Sequence, residues 1–358
     1  MKLSDFVDIN PRVVIPKGTE AEFVPMEAID PSRRYVQTYP KKNYAGGIKF
    51  VNGDTLFARI TPCLENGKIA QFISSSDIPA FGSTEYWVFR AKEGISDPGY
   101  VYYLAKSNLL RKSAEKSMIG ASGRQRAQIE AVKDIDIGNI ILEDQRKIAG
   151  ILGAYDDLIE NNSKRIEKLE SMARLLYRHY FEVPEADSWE VVRIGDILSE
   201  APRSKKIQKS EYKKFGSYPI IDQGKEHIAG YTDDIEAVIS DRLPLTVFGD
   251  HTRIIKLAQN PFARGADGTQ IIVSDILPPY YLHQTMKGIS IVNEHYARHF
   301  KSLKITKIKR PPSTLLCIFE EKVEPIFKQI NVLTKKNYSL AKARDLLLPR
   351  VMMGDIDV

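Results

Sequence analysis

The stretch Gly120-Ala121-Ser122-Gly123-Arg124-Gln125-Arg126 has the composition of an anion-binding loop. Its glycines let backbone N–H groups converge and its guanidinium forks suit phosphate oxygens, although a solvated surface turn can have the same composition. Other candidates for chemistry are incomplete. His295 and His299 are four residues apart and could share a helix face, but the Glu that a zinc-hydrolase helix places after its first His is missing. Asp250-His251-Thr252 offers one carboxylate, one imidazole and one hydroxyl in a turn, a weak basis for acid–base catalysis. Gly67-Lys68 lacks the earlier Gly and the following Ser or Thr of a nucleotide-binding phosphate loop, and no serine sits in a G-x-S-x-G frame. Cys63 and Cys317 lie one in each half, with no second Cys or His at metal spacing. We therefore expect no metal, no cofactor and a reduced, cytoplasmic compartment.

Two long heptad stretches must carry the loops. Between 143 and 181, Ile148, Leu152, Tyr155, Ile159, Asn162, Ile166, Leu169, Ala173, Leu176 and Tyr180 step by four and three, the repeat of a coiled-coil seam. Asp144 is a candidate N-cap, and Gly150 and Gly153 each weaken the first turns by about 1 kcal/mol relative to Ala. A helix of about 35 residues needs a partner along its seam. That partner is 320–350, where Val323, Ile326, Ile330, Leu333, Asn337, Leu340, Arg344 and Leu347 step the same way. Pro325 either occupies the first turn of this helix or marks a kink in one beginning near Ser313. Pairing the two antiparallel sets Asn162 against Asn337, so that two polar seam residues can hydrogen-bond each other. The same register faces Ile159 with Leu340, Ile166 with Leu333 and Tyr155 with Arg344.

The globular parts repeat as well. Ile194-Gly195-Asp196-Ile197-Leu198 echoes Leu3-Ser4-Asp5-Phe6-Val7, and β-rich runs such as 55–60 and 86–89 alternate with Gly, Pro and Asn turns. The expected architecture is α+β. Two globular mixed α/β domains, 1–142 and 183–312, are joined by long helices at 143–182 and 313–358, which pack as an antiparallel coiled coil with internal pseudo-symmetry. No run of 18 apolar residues occurs and 1–10 lacks a signal-peptide core, so no membrane partner is expected. A net charge of +6 leans towards a polyanion.

Leu277-Pro278-Pro279-Tyr280 resembles the Asn/Asp-Pro-Pro-Tyr signature of amino-methylating DNA methyltransferases. Leu277 cannot accept a hydrogen bond from a target amino group, however, and no F-x-G-x-G cofactor loop is present. A broader resemblance covers nearly the whole chain, which is similar to the DNA-specificity subunits of type I restriction-modification systems. It rests on the duplicated layout and on the helices with Asp144-Gln145-Arg146-Lys147-Ile148-Ala149 and Arg344-Asp345-Leu346-Leu347-Leu348-Pro349. It also rests on 53–68 with Gly123–Arg126, and on 248–253 with Ala266-Asp267-Gly268.

The resemblance implies that each globular half is a target-recognition domain reading one half of a bipartite site in double-stranded DNA. The helices would act as a ruler between them. Two modification subunits carrying the methyltransferase chemistry, and restriction subunits for cleavage, would dock on a chain that is itself non-catalytic. Candidate DNA contacts are Arg59, Lys68, Arg124 and Arg126 in the first half, and Lys225, His251, Thr252, Arg253 and Arg264 in the second. Two other readings use the same residues: an interaction scaffold with no nucleic-acid role, and a self-sufficient methyltransferase built on Leu277–Tyr280.

Overall fold

The computed structural model describes residues 1–37, 40–121, 123–266, 268–290 and 299–355. Ser122, Asp267 and His295 lie outside the described residues. The chain forms two compact units, residues 1–164 with 334–358, and residues 165–333.

In the first unit the strands are β1 (Val7–Ile9), β2 (Glu20–Val24), β3 (Lys41–Asn43), β4 (Ile48–Phe50), β5 (Thr55–Ala58), β6 (Ile69–Gln71), β7 (Ala80–Gly82) and β8 (Tyr86–Ala91). They make two sheets, ordered β1-β8-β5-β6 and β3-β2-β7-β4. β5 and β8 are apolar runs with both faces covered, and the two-residue alternation of a strand sends their side chains into two different cores. Phe57, Trp87 and Phe89 face a core shared with Tyr103, Ile148, Leu152 and Leu348. Leu56, Tyr86 and Val88 face the other, with Val24, Phe50 and Phe72.

The second unit contains β9 (Glu190–Arg193), β10 (Lys206–Ile207), β11 (Tyr218–Ile221), β12 (Gly230–Thr232) and β13 (Val238–Ile239). It continues with β14 (Leu245–Gly249), β15 (Ile255–Ala258), β16 (Phe262–Gly265), β17 (Thr269–Ile272) and β18 (Lys307–Arg310). Its pairing repeats that of the first. β14 lies antiparallel between β15 and β17 as β5 does between β6 and β8. β16 runs parallel to β11 and antiparallel to β13, as β7 does to β2 and β4. Short helices at Leu3–Phe6 and Ile194–Ile197 match, as do Pro98–Lys106 and Pro279–Gly288, each with Pro in its first turn where the missing N–H costs nothing.

The two long helices are Leu142–Phe181 and Ser313–Met352, 40 residues each. Asp144 is not an N-cap, because the helix already begins at Leu142. It lies in the first turn, where it favours the helix dipole and accepts from Lys147 at 3.3 Å. Pro325 is interior to the second helix, not in its first turn. Its absent N–H releases the carbonyl of Glu321, an exposed residue whose oxygen water can satisfy.

Within the first unit, Asn162 donates to Asn337 at 2.9 Å, and Asn337 donates to the Ile159 carbonyl at 3.3 Å. Ile159 is buried and Leu340 half-buried. Arg344 pairs with Asp156, the residue next to half-buried Tyr155 in the helix. A desolvated guanidinium needs a carboxylate, and Asp156 supplies it. Gly153 also acquires a reason. The guanidinium of Arg34 lies so close that a Cβ there would stand 2.9 Å from Nη1. That cation stacks over the rings of Tyr35, Tyr102 and Tyr103 and donates to Gln71 at 3.0 Å. In the second unit Ala173, Ile326, Ile330 and Leu333 are buried, with Ile166 and Leu169 packed beside them.

Candidate nucleic-acid interface

In the first unit the end of β5 adjoins the start of β8, with Ala58 opposite Tyr86. Arg59 therefore emerges beside Glu85. The segment carrying Arg124 and Arg126 is bound to the same edge. Ala127 N–H donates to the Arg59 carbonyl at 2.8 Å, Thr61 N–H to the Gln125 carbonyl at 3.0 Å, and Gln125 N–H to the Thr61 hydroxyl at 2.9 Å. Arg126 makes a forked pair with the Glu85 carboxylate, at 2.6 Å from Nη2 and 3.0 Å from Nε, and Arg59 Nε is 3.3 Å from it. These guanidiniums, that of Arg126 foremost, hold the Glu85 carboxyl below its usual range. Arg124 stands exposed at the turn, and Gly123 adopts φ +78 there, a conformation that favours glycine. Lys68 is not part of the cluster: it is half-buried and donates to the Met26 carbonyl at 2.7 Å.

The second unit brings three loops together. β11 and β16 are parallel, so their ends lie side by side, and Gly249 at the end of β14 faces Thr269. Gln223 is the hub. Its side-chain oxygen accepts from His251 N–H at 3.1 Å and its carbonyl from the Thr252 hydroxyl at 2.6 Å. Asp250 N–H reaches the Gly268 carbonyl at 2.6 Å. Beneath them Lys256, 5% exposed, donates to the Asp222 carbonyl at 2.8 Å and to that of Glu226. Burial pulls its pKa down, against the opposing charge of Asp222. Lys225, His251 and Thr252 are exposed on this rim and Arg253 is half-buried. Arg264 points inward and donates to the Thr269 carbonyl at 2.8 Å, so it stiffens the β16–β17 turn.

The remaining catalytic candidates have structural work. The Asp250 carboxylate, buried, accepts from Phe300 N–H at 2.7 Å, and its carbonyl is 2.8 Å from His299 Nδ1. Leu277–Tyr280 opens the helix Pro279–Gly288. Tyr280 stacks on Phe327 at 4.9 Å, and Tyr281 N–H donates to Glu320 at 2.7 Å. Among the described residues no group of three His, Cys, Asp or Glu side chains could hold a metal, and no helix is long and apolar enough to cross a membrane.

Residue type alone did not single out Glu85, Gln223 or Lys256. The available signals were Gly224, a turn former directly after Gln223, and a lysine amid the apolar Ile255–Ala258 strand, which points to a buried ammonium.

Residues 1–171 match the family described as type I restriction modification DNA specificity domain. The type I restriction enzyme MjaIX specificity subunit of Methanocaldococcus jannaschii is 26% identical over 310 residues, 75% of this chain and 71% of the relative. Along most of its length the chain is thus similar to type I DNA-specificity subunits. The putative MjaX specificity subunit of the same organism is 24% identical, over 90% of this chain and 83% of its own. The EcoAI specificity subunit of Escherichia coli is 34% identical over 129 residues, which cover only 22% of that protein. The fold is shared with the type I S subunit of M. genitalium, with a TM-score of 0.50 and 15% identity over 98% of this chain and 95% of that one. With Tyr280 stacked on Phe327, titration of S-adenosylmethionine into the purified chain is expected to show no binding heat. A saturable heat, abolished by Tyr280→Ala, would restore Leu277–Tyr280 as a cofactor site.

Proposed function

We propose that this chain acts as a specificity subunit, each loop rim reading one half of a bipartite site in double-stranded DNA. The observation that carries the reading is the duplication itself. Two units of the same strand pairing each gather loops at the end of their central strand, and each rim presents cationic side chains. Arg59, Arg124 and Arg126 form the first contact set; Lys225, His251, Thr252 and Arg253 form the second. Lys68 and Arg264 support the loops instead of touching DNA. The readers correspond to 1–142 and 183–312, and the spacers to 143–182 and 313–358. Forty residues at 1.5 Å each span about 60 Å, against about 34 Å for a turn of DNA, long enough for an unread gap between half-sites. Modification subunits, two in number, and restriction subunits would assemble on this scaffold in the cytoplasm.

The test is to map methylated sites in cells carrying the system. Arg124→Ala should relax one half-site and Arg253→Ala the other, each losing about 1–3 kcal/mol of discrimination if the arginine reads a base edge. Both changes acting on the same half-site would refute the two-reader assignment. A scaffold without a nucleic-acid role would show no salt-dependent DNA affinity at all.

A further inference from the structure

Two of the three cations assigned to DNA in the first unit already have a partner. Arg59 and Arg126 both meet the Glu85 carboxylate, whose side chain is 19% exposed against 34% and 47% for the two arginines. A carboxylate on a surface that receives a polyanion opposes binding, so its place there needs an explanation. Holding the loops together does not supply one. The backbone already does so through the Ile60–Arg126 bridge, the Ala127-to-Arg59 bond and the Thr61–Gln125 pair, while Arg59 N–H donates to the Glu85 carbonyl at 3.0 Å. Glu85 is itself fixed, because its N–H donates to the Ser83 hydroxyl at 3.2 Å. The second unit is different. The residue immediately before β17, where Glu85 stands before β8, is Gly268, and Arg264 is turned inward onto a carbonyl.

We propose that Glu85 is a specificity-determining residue of the first half-site. Its carboxylate withholds two guanidiniums from phosphates of arbitrary sequence. It yields them only where acceptors on the correct base edges replace the forked, charge-assisted bonds that Arg126 gives up. A phosphate can also accept a guanidinium's fork, but unlike a neutral base edge it brings its own charge against the carboxylate. The acid thus weakens non-specific binding more than specific binding, which is discrimination by a repulsive element. The inference rests on the two-reader function proposed above.

The experiment uses the full chain assembled with its modification subunits, a random-sequence duplex, and a duplex carrying the site found by methylation mapping. Glu85→Gln should bind the random duplex several-fold tighter at low salt. Its log K against log salt should be steeper by about 0.9 to 1.8, as one or two more phosphates are neutralised. Methylation should spread to sites mismatched in the first half only. Glu85→Asp, which keeps the charge, should return the slope towards wild type. If Glu85→Gln leaves random-duplex affinity and slope unchanged, or spreads methylation through the second half-site, the proposal falls. It falls equally if Glu85→Asp behaves as Glu85→Gln, or if Glu85→Gln loses the folded state, since the carboxylate would then be structural. A wild-type complex that does not prefer the mapped site over random DNA refutes the two-reader function itself. One that prefers it while Glu85→Gln matches wild type refutes only the role of Glu85.

Discussion

Arg344→Met is expected to destabilise the first unit by about 3–5 kcal/mol, the usual cost of stranding one member of a buried ion pair. Arg344 and Asp156 are 3% and 1% exposed, and each long helix contributes one of them. Asp156 also accepts from the Tyr103 hydroxyl, which ties the pair to the helix Pro98–Lys106. Arg344 Nε and Nη2 reach Asp345 at 2.9 and 2.8 Å. Methionine fills much the same volume but leaves the carboxylate in a low-dielectric site with the Tyr103 hydroxyl as its hydrogen-bond donor and only the more distant charges of Arg34 and Lys106. Removing both charges, in Asp156→Leu with Arg344→Met, should recover most of the loss, because two apolar side chains need no compensation. Denaturant unfolding of the two variants measures the difference. Equal loss in both would mean that packing at this layer, and not the stranded charge, sets the cost.

Lengthening both helices by one heptad is expected to change the preferred gap between the half-sites. Seven residues inserted after Glu167, and seven more between Asn331 and Val332, preserve the heptad phase, so the apolar seam can still close. Each helix grows by about 10 Å at 1.5 Å per residue, equivalent to roughly three base pairs. Three base pairs also rotate the far half-site by nearly a third of a turn. A longer gap therefore restores distance but not angle, unless the DNA twists or bends at some energetic cost. The variant should lose affinity for the native site and favour a longer gap, read by methylation mapping or by binding to duplexes of graded spacing. Full affinity for the original site, with its gap unchanged, would show that the helices do not set the spacing.

Both long helices and the Asn162–Asn337 contact were legible in the sequence because helix periodicity is local. Apolar residues at steps of three and four specify a seam, and one asparagine in each stripe leaves a single register in which both amides are satisfied. The duplication was legible for the same reason: Leu3–Val7 and Ile194–Leu198, like the two heptad stretches, repeat a local pattern. What the tertiary structure alone decided was the use to which each charged side chain is put. Lys68, Arg264 and Lys256 are cations like Arg124, yet the first three are bound to carbonyls while Arg124 stands in solvent. Their acceptors lie as much as 42 residues away in the chain, beyond the reach of any periodicity. The pairing of Asp156 with Arg344 is of the same kind. Heptad spacing says which face is covered, but only the fold says that a guanidinium and the Tyr103 hydroxyl meet there and require a carboxylate between them.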